Sequence, residues 1–242
     1  MRPLLRALLA TTVIALATAA PSGAILDGTP DTDHPYVGIL VTVVDGQRVP
    51  ACSGFLVSPT AFVTAAHCVD LLGDNPAYVS FDQVFTPSSR LRPGTAFPNP
   101  AFGSPGGNTH DIAVVVLNSP VNDRRYAELP RLGLLDSSAK KDPLTIVGYG
   151  ANGFLNGGPP TPDFQLVRTF GQARISNVDK GGFNLRMSSG ICFGDSGGPV
   201  LLGNSHVVVG INSYVNSPRC EGNAYAFRVD TPESLAFLGP YL

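Results

Sequence analysis

Apolar residues in this chain come in short runs. The segments "YVGILVTVV" (36 to 44), "DIAVVVL" (111 to 117), "LTIVGYG" (144 to 150) and "VVVGINSY" (207 to 214) are rich in β-branched and aliphatic side chains, and Gly, Pro, Asn and Asp separate such runs. Runs of that length, punctuated so often, predict the strands of an all-β sandwich or barrel. A helical period is sustained almost nowhere. The exception is "DTPESLAFL" (230 to 238). There Asp230 or Thr231 can cap, Pro232 suits a first helical turn, and Leu235, Ala236 and Leu238 supply an apolar face, so a short closing helix is expected. Polar, Gly/Pro-rich stretches at 93 to 109 and 152 to 163 read as surface loops, since buried irregular backbone would leave polar groups unpaired. A boundary between Tyr126 and Lys141 would divide the chain into two β units.

Composition narrows the class. With 242 residues, 43% of them apolar and 14% charged, the chain can bury a sizeable core and is not of disordered type. The opening "MRPLLRALLATTVIALATAAPSGA" places Arg2 and Arg6 ahead of an apolar run and ends in small residues. It reads as a secretory signal over residues 1–24, with or without a very short "PSGA" propeptide, which makes Ile25 the expected mature start and the protein an extracellular one. A membrane anchor is the competing reading, but the run is short, interrupted by Thr11, Thr12 and Thr18, and followed by Pro21. The only close basic pairs, Arg124-Arg125 and Lys140-Lys141, form no broad patch, so neither nucleic acid nor an anionic membrane surface is an expected partner. Four cysteines, Cys52, Cys68, Cys192 and Cys220, are an even count in an exported chain and point to disulfides, with three pairings open. A metal site is the rival, but no Cys-x-x-Cys occurs and His67 and Cys68 are adjacent, a poor arrangement for one tetrahedral ion. No metal and no cofactor are expected.

Candidate chemistry lies in three segments. "CSGFLVSPTAFVTAAHCVD" (52 to 70) leads strand-like residues into His67; "THDIAVVVL" (109 to 117) sets Asp111 at the head of an apolar run; "GICFGDSGGPVLLG" (190 to 203) sets Ser196 among glycines. Each alone has an ordinary structural reading. Together they supply what amide hydrolysis requires: a nucleophile, a base to take its proton, and a group that holds the base in the correct tautomer. An unassisted serine hydroxyl is a poor nucleophile at neutral pH, whereas an imidazole can remove its proton as the C–O bond forms.

The motifs "TAAHC", "DIAVVVL" and "GDSGGP", in this order, resemble the signatures of the chymotrypsin/trypsin-like serine proteases, and the likeness runs from "ILDG" (25 to 28) to "RVDTPE" (228 to 233). The resemblance implies two six-stranded antiparallel β-barrels, one over residues 25–130 carrying His67 and Asp111 and one over 131–242 carrying Ser196. It implies the pairs Cys52–Cys68 and Cys192–Cys220. It implies an oxyanion hole made of the Gly194 and Ser196 amides, and an ion pair between the new α-amine of Ile25 and Asp195. No Lys or Arg stands directly before Ile25, so leader removal, not a trypsin-like cut, is the expected activation.

Primary specificity follows from the same alignment. The pocket floor falls at Gly190 and Ile191, where no carboxylate stands to pair with Arg or Lys, and "NSYV" supplies Ser213, Tyr214 and Val215 with Ala224 as the opposite wall. The expected product is a secreted, monomeric serine endopeptidase that cuts polypeptides after small or medium apolar residues and is a target for protein protease inhibitors. The alternative is a catalytically inactive binding or adhesion protein on the same fold.

Overall fold

The computed structural model describes residues 25–26, 28–105, 108–137, 142–155, 160–187 and 190–242, so the leader read at 1–24 lies outside the described residues. After a two-residue strand β1 (Thr29–Pro30) come β2 (Val37–Val44), β3 (Gln47–Leu56), β4 (Ala61–Thr64), the short helix α1 (Ala66–Asp70), β5 (Ala77–Ser80), β6 (Arg92–Pro98) and β7 (Ala113–Leu117). Strands β2 to β7 close into a barrel in the order β2-β3-β4-β7-β6-β5. The β2–β3 hairpin shows how local sequence sets register. Asp45 and Gly46 both take positive φ, 50° and 77°, as a tight two-residue hairpin turn requires, and Val44 is thereby placed opposite Gln47. Buried side chains of its strands, among them Phe55, Phe62 and Val114, belong to one continuous apolar core.

The second half holds β8 (Pro143–Gly148), a two-stranded hairpin of β9 (Gly153–Leu155) and β10 (Thr161–Asp163), then β11 (Thr169–Val178), β12 (Gly182–Met187), β13 (Pro199–Leu202), β14 (Val208–Val215) and β15 (Asn223–Arg228). Six of these form a ring, β8-β11-β12-β15-β14-β13, because β8 pairs with both β11 and β13. Strand β1 adds to its outside along β11. Two closed antiparallel barrels are therefore what the punctuated apolar runs build, and closure leaves few free edges. The chain ends in helix α2 (Pro232–Leu238), capped by Thr231, whose hydroxyl accepts the Ser234 N–H at 3.2 Å. No helix among the described residues is long and apolar enough to cross a membrane.

A buried ionic cluster ties the barrels together. Arg168, just ahead of β11, donates through Nε to Asp31 at 2.9 Å and through NH1 to the carbonyls of Val37 (3.2 Å) and Phe81 (3.3 Å) in the first barrel. Asp31 also meets His34 Nδ1 at 2.6 Å. Burial pushes the Asp31 carboxyl up, but the hydrogen bonds and charges of His34 and Arg168 outweigh it and hold the group below the usual carboxylate range. A depressed carboxylate contributes stability above its ordinary pKa, and that contribution is lost as pH falls through the lower folded value. Removing one partner of a buried pair leaves the other uncompensated, so Arg168→Met is expected to cost about 3–5 kcal/mol in urea unfolding at pH 7. That deficit should shrink in acid, as Asp31 becomes protonated.

Candidate active site

Helix α1 begins right after β4, and this places His67 at the rim of the first barrel facing the second. The Asp111 carboxylate grips it twice. Oδ1 accepts the His67 backbone N–H at 3.0 Å, and Oδ2 lies 2.8 Å from His67 Nδ1. A third donor comes from across the seam, since the Ser213 hydroxyl on β14 also donates to Oδ2. Asp111 is almost fully buried. Burial raises its pKa, but the His67 and Ser213 bonds and the imidazole's charge reverse the sign and keep the carboxyl below its ordinary range. A carboxylate so held fixes the imidazole with Nδ1 protonated and Nε2 free as an acceptor.

Ser196 sits at the bend before β13. Gly194 and Gly197 take φ of 91° and 81°, and a Cβ on Gly197 would collide with Thr64 Oγ1 and the Ser53 carbonyl, so only glycine lets the bend approach the first barrel. The Ser53 N–H clamps the bend by donating to the Ser196 carbonyl at 2.8 Å. The backbone amides of Gly194 and Ser196 donate to no acceptor among the described residues, whereas that of Asp195 donates to the Cys192 carbonyl at 3.1 Å. Ser196 Oγ donates to the Ser213 carbonyl at 3.3 Å, a long and weak bond, and not to His67 Nε2. His67 and Ser196 nevertheless line one cavity of about 390 Å³ together with Asp111.

Of the residues read as a specificity pocket, Ile191, Ser213, Tyr214 and Val215 line that cavity, joined by Cys192, Phe193, Phe102 and Thr109. Gly190 and Ala224 do not. Gly190 is bridged to Leu26, whose N–H donates to its carbonyl at 3.0 Å. Ala224 is buried in the core of the second barrel and pairs with Val215 from behind. Ala224 shares that core with Ala226, and Val215 packs against it. Tyr214 is half-exposed but stacked on Tyr225 at 4.9 Å between ring centroids, which orients its ring.

Asp195 is fully buried and accepts from the Gly150 amide and the Cys192 amide, each at 2.9 Å. Burial pushes its carboxyl up to about 8, and two amides offset only part of that. No cation among the described residues reaches it: the nitrogen of Ile25, also buried, donates to Thr169 Oγ1 at 2.7 Å. The two groups are nonetheless near neighbours. Thr169 is registered against Gly148, and Asp195 Oδ1 occupies the place a Cβ on Gly148 would take. Cys52 is bonded to Cys68 beside His67, and Cys192 to Cys220 behind the cavity. His67 and the Cys52 and Cys68 sulfurs cluster as metal ligands could, but disulfide sulfurs cannot bind as thiolates.

The cavity walls Phe102 and Phe193 and the Ser213 to Asp111 bond are absent from the sequence reading. Phe193 lies inside a motif and was open to notice; the pairing of Ser213 with a residue more than a hundred positions away was not.

Comparison with known proteins bears on this arrangement. The sequence profile of the trypsin family matches residues 25–236. A trypsin of Saccharopolyspora erythraea is 27% identical over 205 residues, covering 75% of this chain and 82% of that protein. The human chymotrypsin-like elastase family member 1 is 29% identical over 215 residues, covering 72% and 74%. The solved structure of HL collagenase superposes with a TM-score of 0.67 at 20% identity, covering 89% of this chain and 98% of that one, which speaks to fold alone.

If the Ser213 hydroxyl helps keep Asp111 ionised, Ser213→Ala should raise the Asp111 pKa. Carboxyl carbon NMR of labelled protein reads this directly, with an upward shift expected in the variant and no shift counting against the assignment.

Proposed function

The chain belongs to the trypsin family of serine proteases and is a serine endopeptidase, and from that premise we propose that Ser196, His67 and Asp111 carry out the hydrolysis. Ser196 Oγ leaves its weak bond to the Ser213 carbonyl by rotation about χ1 and attacks the scissile carbonyl carbon while its proton passes to His67 Nε2. The tetrahedral oxyanion is held by the amides of Gly194 and Ser196, each such donor being worth roughly 3 to 4 kcal/mol in the transition state. Collapse expels the amine, protonated by His67, and leaves an acyl-enzyme that water, deprotonated by the same imidazole, hydrolyses. The carrying observation is His67 clamped through its backbone N–H and its Nδ1 to a buried carboxylate, on one cavity with Ser196, whose amide and that of Gly194 have no acceptor among the described residues. That retained machinery also disfavours the inactive binding-protein alternative.

The residue before the cleaved bond is taken to be Ala, Val or Leu. Ile191, Val215 and the Cys192 disulfide enclose the cavity, and its one carboxylate, Asp111, is already engaged. A basic side chain would lie there unpaired. Two folding units meeting near residue 130, export guided by residues 1–24, a monomeric state and sensitivity to protein inhibitors complete the proposal; the two disulfides support the extracellular setting.

Peptide anilides ending in Ala, Val or Leu should be cut with kcat/KM at least about a hundredfold above the Arg analogue. Asp111→Asn should lower kcat by roughly 10⁴ through loss of the correct tautomer; comparable rates in that variant would contradict the assignment.

Activation is assigned to release of the Ile25 α-amine, which brings a positive charge to the buried Asp195 carboxyl. A chain that retains Ala24 has no such charge. Its folded form binds a proton that the unfolded carboxyl, with its ordinary pKa of 3.8, gives up. Its stability should therefore fall as pH rises from about 4 to about 8. Thermal unfolding across that range should show the decline in the Ala24-extended chain and a flatter profile when Ile25 is the free terminus. Identical profiles would sink the idea.

A further inference from the structure

Three of the most exposed large apolar side chains share one concavity. Leu71 is 67% exposed, Phe164 47% and Phe193 44%, and all three line a second cavity, of about 550 Å³, that touches the first at His67, Phe193 and Ser196. Scattered surface hydrophobics are ordinary, but several gathered on a single concave surface mark a binding site.

Each wall is held in place. Leu71 follows His67 by one helical turn, its N–H bonded to the His67 carbonyl at 3.1 Å, so both project from the same face of α1. The Phe164 ring reaches to 3.3 Å from where a Cβ on Gly194 would stand, packing it against the loop that carries the free amides. Tyr149 is anchored by its hydroxyl, which donates to the Asp82 carbonyl at 2.8 Å. Leu166 adopts φ of 53°, a left-handed conformation that a bulky residue takes only when its surroundings impose it. The bond from the Phe85 N–H to its carbonyl, 2.8 Å, does so.

For the residue that follows the scissile bond, whose side chain this cavity faces, we propose that Phe164 and Leu71 select a bulky, uncharged apolar group. The inference rests on Ser196 being the nucleophile. With the scissile carbonyl at Ser196 and the preceding side chain against Ile191 and Val215, an extended chain continues past His67 into the second cavity. Apart from His67 no ionisable side chain that could pair with a substrate charge lines it, Tyr149 being anchored through its hydroxyl, so a charged residue enters uncompensated. An apolar cavity of roughly 150 Å³ is enough to hold benzene, so about 550 Å³ accommodates a Leu or Phe side chain with room for its neighbour. The substrate class becomes polypeptides with a small apolar residue before the cut and a large apolar one after it.

The test uses the processed full chain and internally quenched peptides that share Val before the cut and differ only in the next residue, Leu, Phe, Gly or Glu, with the cleaved bond located by mass spectrometry. Leu and Phe are expected to be cut about tenfold or more faster in kcat/KM than Gly, and Glu slowest. Phe164→Ala should bring the Leu to Gly ratio toward one, while Phe164→Leu keeps most of it; the ring is half-exposed, so both variants should fold. Equal cleavage of all four peptides, or a ratio unmoved by Phe164→Ala, overturns this inference alone. Failure to cleave any of them overturns the catalytic reading and this inference with it.

Discussion

A carboxylate removed from water must be given donors, and Asp111 obtains them from both barrels. His67 supplies a backbone and a ring nitrogen from one side, and Ser213 supplies a hydroxyl from the other. Separating the barrels would take away the Ser213 hydroxyl and let water into the seam, which weakens the environment that keeps Asp111 ionised beside His67. The orientation of His67 and the packing of the two barrels are thus one constraint. Ser196 arrives at the same seam because the Ser53 N–H, in the first barrel, holds its carbonyl.

Two other buried carboxylates follow the same logic with different partners. Asp31 is met by a permanent cation, Arg168, which reaches carbonyls of the first barrel and so fastens the halves regardless of processing. Asp195 is met by two amides and, among the described residues, by no cation, and burial raises its pKa. One site is complete as folded. In the activation proposed above, the other receives its charge from Ile25, and the segment after Ile25 lies against β11, which pairs with β8 at Gly148. On that proposal, folding stability and activation rest on separate carboxylates.

The barrels were legible in the sequence because their signals are local. Short β-branched runs, the Asp45-Gly46 turn and the Thr231 cap each act within a few residues. The three motifs were legible for the same reason, and the structure sets His67, Asp111 and Ser196 around one cavity. What stayed hidden depends on partners far apart in the chain. Arg168 and Asp31 are 137 positions apart, and Ser213 and Asp111 are 102 apart. Ala224 was placed at the cavity wall by the family alignment, whereas its side chain packs into the core of the second barrel. The Phe164 and Leu71 walls had no motif to announce them; only folding brings them beside Ser196.

The central claim is that Ser196 is an activated nucleophile. The most direct measurement is reaction of the secreted, processed protein with an organophosphonate serine probe, with the adduct located by mass spectrometry in wild type and in Ser196→Ala. The account predicts a single adduct on the peptide containing Ser196, absent from the variant. A folded, Ile25-terminated protein that takes up no probe, or takes it up at another serine, would contradict it.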